Sequence, residues 1–211
     1  MVPKQVKTVL KRTPAYSIWS KLRERRVLRE WQAQGNPVPP PKEYKRAMIR
    51  QYAKRFGIRT LVETGTHYGD TVFAVLPHFD RIYSIELGDE LYRRAVEHFK
   101  GQPRVTLLHG DSAERLPVVL NELHSSALFW LDAHYSFGDT ACGNLYSPIM
   151  VELNQIFAHP TKTHVILIDD ARDFSGRDGY PTLAHLETFI HTQHPSARFL
   201  LEFDIIRITP A

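Results

Sequence analysis

The 211-residue sequence has one cysteine, no long apolar run and no internal repeat. A lone Cys142 cannot close an internal disulfide, which excludes a disulfide-stapled scaffold. Nor can it build a thiolate zinc site on its own. No stretch approaches the ~18 apolar residues of a membrane-spanning helix. The basic amino end is not followed by an apolar core and a cleavage site, so no secretory signal is expected, and a cytoplasmic protein is the expectation.

What is present is ordinary for a globular chain: 43% hydrophobic and 24% charged residues, which excludes pervasive disorder and collagen-like filaments. At ~150 residues per domain the length corresponds to about 1.4 domains, one domain with extra pieces. The net charge of +4 hides an asymmetry. Residues 1–60 carry 16 Lys/Arg against 3 Asp/Glu, a balance of +13; residues 61–211 carry 11 against 20, a balance of −9.

The front reads as a loose basic tail over residues 1–13. Thr13-Pro14 then opens a helix, with Ile18, Trp19, Leu22, Val27, Leu28 and Trp31 at roughly helical spacing. Gly35-Asn36-Pro37 stops it, a proline linker follows from Val38 to Pro41, and a second helix is predicted from Lys42 to Phe56. These residues form a basic helical extension, 1–57. From residue 58 to 211 the pattern changes to apolar strands alternating with helices. Strands are predicted at Thr60–Glu63, Arg81–Glu86, Val105–His109, Ala127–Leu131 and His164–Ile168. Helices are predicted near 70–78, 89–100, 112–123, 147–158 and 182–193. Such alternation implies βαβ units and a parallel sheet covered on both faces, with the site at the carboxyl ends of the strands. The segment Arg198–Thr209 reads as a hairpin turning near Glu202–Asp204 or as one long strand.

The polar residues that end the strands carry the chemistry. The first strand runs into Glu63-Thr64-Gly65-Thr66-His67-Tyr68-Gly69-Asp70-Thr71, a glycine turn between strand and helix. Gly65 allows close approach of backbone to a ligand and Gly69 allows tight helix packing. The acidic residue before the first glycine, and the presence of only two glycines, separate it from the dinucleotide fingerprint; an acidic lip suits a cationic ligand. A tight turn common to any such fold is the plain alternative. Glu86, about 20 residues on, can accept both hydroxyls of a ribose or be a surface glutamate. Asp111, before Ser112, can take an adenine amine or cap the next helix. Asp132, Asp169 and Asp170 follow long apolar runs at one rim of the sheet. Clustered carboxylates repel, and a hard divalent cation with oxygen ligands removes that cost. Neutralisation by arginine, with Arg172 a candidate, or by helix N-termini is the alternative.

At these residues the sequence resembles the class I S-adenosylmethionine-dependent methyltransferases, over about Thr60 to Asp173. Glu63-Thr64-Gly65-Thr66-His67-Tyr68-Gly69 is similar to that family's acidic-x-Gly-x-x-x-Gly motif. The resemblance implies an α/β, Rossmann-like fold with a mostly parallel seven-stranded sheet, helices on both faces and a reversed hairpin at the end. It implies cofactor contacts at Glu63, Thr64, Gly65, Thr66, Gly69, Asp70, Thr71, Glu86, Leu87, Asp111, Ser112 and Asp132, with Glu86 on the ribose and Asp111-Ser112 on the adenine. Leu131-Asp132 with Ile168-Asp169-Asp170 resembles the cation-dependent O-methyltransferases of the macrolide-sugar and catechol types. That implies a metal site at Asp132, Asp169 and Asp170, for magnesium or alternatively manganese or calcium. The lysine used as a base in the catechol type is absent, and His134 stands near its place. His134 is therefore the expected base, with Asp132 as the other candidate.

The expected reaction is O-methylation of a hydroxyl on a sugar, glycan or small natural-product acceptor. The alternatives are a metal-independent methyltransferase acting on nitrogen or a macromolecule, or a non-catalytic binding module of the same fold. Tyr135, Phe137, Tyr146, Phe174 and Tyr180 are candidates to line an acceptor pocket, and Arg177 to hold an anionic group. The basic helices admit three readings: packing on the domain or on a second subunit in a homo-oligomer, peripheral contact with an anionic membrane surface, or binding of a polyanion. Absence of the Asn-Pro-Pro-Tyr and Asp-Pro-Pro-Tyr signatures argues against nucleic acid as a partner.

Overall fold

A computed structural model describes residues 14–132 and 147–211. The chain forms two compact units, 1–45 and 46–211. In the first, helix α1 spans Pro14–Ala33 and ends where Gly35 and Asn36 take positive φ, the left-handed conformation that terminates helices. Trp31 is buried, its indole N–H donating to the Pro37 carbonyl at 2.8 Å and its ring 4.7 Å from that of Tyr44. Helix α2 spans Lys42–Arg55, with Glu43 in its first turn and Lys54 and Arg55 in its last, charges that oppose the helix dipole at both ends.

The second unit is built on a seven-stranded sheet: β1 Thr60–Thr64, β2 Arg81–Glu86, β3 Val105–His109, β4 Leu128–Leu131, β5 Val165–Ile168, β6 Arg198–Glu202 and β7 Ile205–Thr209. The order is β3-β2-β1-β4-β5-β7-β6. β1 to β5 are parallel, and β7 is antiparallel to β5 and β6. Every residue of β4 and β5 is buried, which is why they read as unbroken apolar runs rather than alternating ones. The crossovers supply α3 Asp70–Val75, α4 Asp89–His98, α5 Ser112–Asn121, α6 Ile149–Ala158 and α7 Leu183–Gln193. One continuous core joins Val62, Phe129 and Ile166 of the sheet to Leu116, Leu153 and Leu186 of the helices.

The terminal segment is a hairpin, so of the two forms left open by the sequence the single long strand is excluded. Its turn places Phe203 at φ 48° and Asp204 at φ 66°. This is the two-residue conformation that usually calls for Asn-Gly, built here without glycine. Strand and helix positions otherwise follow the sequence pattern closely, with α3 giving way to a 3₁₀ turn at Leu76–His78 around Pro77.

Candidate active site

The parallel ladder continues one residue past the strand ends, and this fixes the polar residues side by side. The Asp132 amide donates to the Thr64 carbonyl at 3.1 Å, and the Asp169 amide donates to the Leu131 carbonyl at 3.0 Å. Asp132, Asp169 and Asp170 thereby present one oxygen each within 4.8 Å of one another, the one group of three or more metal-capable side chains among the described residues. Asp169 and Asp170 are buried and Asp132 is half-buried. Asp170 adopts φ 54°, and its amide donates to Asp169 Oδ1 at 2.9 Å.

The other reading of these carboxylates is present in part. Arg172 Nη1 donates to Asp170 Oδ1 at 2.8 Å and also pairs with Asp204 Oδ2. Burial opposes the charge of Arg172, while Asp170 and Asp204 raise its pKa above the ordinary value. A carboxylate has two oxygens and roughly four lone-pair directions, so the Arg172 pairing at Oδ1 and a share in a cation site are compatible.

The glycine turn is held against β2. The Gly65 and Thr66 amides both donate to the Ile85 carbonyl. Gly69 caps α3 at φ 69°, and a Cβ there would stand 2.7 Å from Phe99 Cε2, so both conformation and space require glycine. Glu63 is buried; Ser84 Oγ donates to its Oε2 at 2.6 Å, and Thr66 Oγ1 lies 2.6 Å from Ser84 Oγ. Burial pushes the Glu63 carboxyl up to about 8; Ser84 opposes this, while the charges of Asp132 and Glu86 add to it. Glu86 accepts the His67 amide at 2.6 Å and the Gly88 amide at 2.8 Å, which fastens the turn to the end of β2. Asp111 caps α5 by accepting the Ala113 amide at 2.9 Å, so the capping role is realised. Ser112 is buried behind it. Asp70 is exposed, and Thr71 and Leu87 are half-buried. His134, with Tyr135, Phe137 and Tyr146, lies outside the described residues.

A shallow cleft opens beside the aspartates, lined in part by Asp132, Asp169, Ser147, Glu152, Phe174 and Tyr180. Phe174 and Tyr180 meet edge to face at 5.2 Å. Arg177 is exposed. Sequence reasoning missed Glu152. It is 1% exposed on α6, and burial pushes its carboxyl up to about 7 against the pull of the Ser112 and Thr64 hydroxyls. Its Oε1 has no hydrogen-bond partner among the described residues. The one available signal was a single acid inside the apolar run Ile149-Met150-Val151-Glu152-Leu153.

No protein-family model matches the sequence, and no curated protein matches it. Solved structures do. An O-methyltransferase from Bacillus cereus in complex with SAH superposes with a TM-score of 0.58 at 14% identity, covering 88% of this chain and 90% of that one. TomG from Streptomyces achromogenes, an O-methyltransferase involved in tomaymycin synthesis and solved with SAM, gives 0.59 at 11%, covering 89% and 88%. The methyltransferase PaMTH1 from Podospora anserina, bound to SAH, gives 0.57 at 14%, covering 100% and 98%. The fold is that of the class I S-adenosylmethionine-dependent methyltransferases. In this methyltransferase fold the glycine turn, Glu86 and the rim aspartates all stand at the carboxyl ends of the parallel strands. That is where open α/β sheets bind their ligands. No helix among the described residues is long and apolar enough to cross a membrane.

Proposed function

We propose that the chain is an S-adenosylmethionine-dependent methyltransferase that methylates a hydroxyl of a sugar, glycan or small natural-product acceptor with the aid of a divalent cation, magnesium first and manganese or calcium as alternatives. The observation that carries this reading is the convergence of Asp132, Asp169 and Asp170 within 4.8 Å on a sheet whose structural neighbours include O-methyltransferases solved with SAM or SAH.

The residues present fit both groups. Three carboxylate oxygens form a donor set for a hard cation. The acid-rich rim and the buried Glu152 Oε1, without a hydrogen-bond partner among the described residues, suit a donor that carries positive charge and hydrogen-bonding groups. Bound at the triad, a divalent cation supplies Lewis acidity that lowers the pKa of an acceptor hydroxyl. The chain itself does the rest by placement, and alignment of reacting groups is worth ~7–11 kcal/mol. Gly65 lets the donor lie close to the backbone. Glu86 has lone pairs beyond those used by His67 and Gly88 for the ribose hydroxyls. Asp111 and Ser112 border the adenine. Tyr180 keeps its proton, because burial raises its pKa first and nearby aspartates add to this, and it is a donor at the cleft wall. The proton of the acceptor passes to His134, or to Asp132.

A metal-independent reaction is the second reading, favoured by the Arg172–Asp170 pairing. Thermal-shift measurements with SAM and Mg²⁺, Mn²⁺ or Ca²⁺, separately and together, distinguish the two through binding linkage. A shift with SAM that grows with the ion supports the first. A shift with SAM alone that the ion does not change, with turnover persisting in excess EDTA, supports the second.

A further inference from the structure

Glu152 belongs to two sets of residues at once. On one side lie Ser112, Thr64 and Asp111, which stand on the donor side of the rim. On the other lie Asp132, Asp169 and Ser147, with which Glu152 lines the cleft. A side chain that borders both sets stands where donor and acceptor meet, and in a methyl transfer that is where the positively charged sulfur and its methyl group lie. Glu152 is 1% exposed, and its Oε1 has no hydrogen-bond partner among the described residues. A buried carboxylate oxygen left without a partner is costly unless a ligand completes it. Among the described residues no cationic side chain completes it, and the positive end of a bound ligand is the complement that its charge would take.

We propose that Glu152 is the anionic contact for the sulfonium end of S-adenosylmethionine, and so sets the preference of the site for the charged methyl donor over the neutral product S-adenosylhomocysteine. The inference rests on the methyltransferase reading above and adds to it the residue that distinguishes donor from product. The donor and the product share the adenosine and differ in the charge at sulfur, which is what the charge of Glu152 would read. Replacing its charge therefore affects the two ligands unequally.

The test is calorimetric binding of three probes to the full-length protein and to Glu152→Gln: S-adenosylmethionine, S-adenosylhomocysteine, and sinefungin, which carries an ammonium group in place of the sulfonium. The expected result is a loss of tenfold or more for S-adenosylmethionine and for sinefungin, with S-adenosylhomocysteine changed less than twofold. Equal weakening of all three, or no change in any, overturns the proposal while leaving the methyltransferase reading intact. Failure of the unmodified protein to bind any of the three overturns both. If Glu152→Gln does not fold, Glu152→Asp keeps the charge but withdraws it by one methylene. That variant is expected to weaken the two cationic ligands more than S-adenosylhomocysteine, and equal weakening again overturns the proposal.

Discussion

Arg172 clamps Asp204 across 32 residues of sequence: its backbone amide donates to Asp204 Oδ1 at 2.8 Å and its guanidinium pairs with Asp204 Oδ2. Asp204 is the second of the two left-handed residues of the β6–β7 turn, and its carbonyl accepts the Ala171 amide at 2.9 Å. The same guanidinium reaches Asp170. A strained turn at the sheet edge and an aspartate of the candidate cation site thus share one cation.

Arg172→Met removes that cation and leaves the buried Asp204 carboxylate with the residue-172 backbone amide but without its guanidinium counter-charge. Breaking a buried pair from one side costs ~3–5 kcal/mol. The arginine is 42% exposed, so solvent screening reduces the expected loss to roughly 2 kcal/mol. For a chain of this size that corresponds to a Tm lower by about 4–8 °C, read by calorimetry.

His164 gives the protein an acid-side weakness. The Ala127 amide donates to His164 Nδ1 at 3.0 Å, so the ring proton is on Nε2, which faces His159 Nδ1 at 2.9 Å. Burial, then the charges of His159 and Lys162, lower the His164 pKa from 6.5 to about 4. The unfolded chain therefore takes up a proton that the folded chain refuses. The stability is fully present above pH 6.5 and is lost as the pH falls toward 4, by up to roughly 3 kcal/mol. Urea unfolding at pH 7, 5.5 and 4.5 measures the slope. His164→Asn, which keeps an acceptor for Ala127, is expected to flatten it; an unchanged slope assigns the effect to other groups.

Glu63 acts in the opposite direction. Its carboxyl, raised from 4.5 to about 8, keeps its proton in the folded chain where the unfolded chain has released it. This contribution is fully present below pH 4.5 and is lost as the pH rises through 8. Glu63→Gln is expected to stabilise the ligand-free protein at pH 8.5 by roughly 2–4 kcal/mol relative to pH 4.5 and to weaken S-adenosylmethionine binding. Urea unfolding and calorimetry check the two halves.

The parallel half of the sheet was legible because buried strands announce themselves as apolar runs, and each ended in a polar residue at the same rim. Asp111 showed its capping position by standing two residues before Ala113, a purely local relation. The hairpin was not legible, since Phe203-Asp204 lacks the residues that its backbone normally demands, and what stabilises it comes from Arg172, far away in sequence. Glu152 was hidden for a similar reason. Nothing in Ile149-Met150-Val151-Glu152 distinguishes a solvated acid from one turned inward; only the packing of α6 beside Ser112 and Thr64 decides. The Arg172 alternative was visible as a neighbour of Asp170, but its sharing with Asp204 required the return of β7 to β5.

A cation held by the rim aspartates is the centre of the proposed reaction, and Mn²⁺ binding tests it directly. Mn²⁺ is titrated, in the presence of S-adenosylmethionine, into the protein and into Asp169→Asn, with bound metal read by electron paramagnetic resonance. The account predicts one bound ion in the unmodified protein, at least tenfold weaker binding in Asp169→Asn, and S-adenosylmethionine affinity without metal unchanged by the substitution. Equal Mn²⁺ binding by both proteins, or none by either, contradicts it.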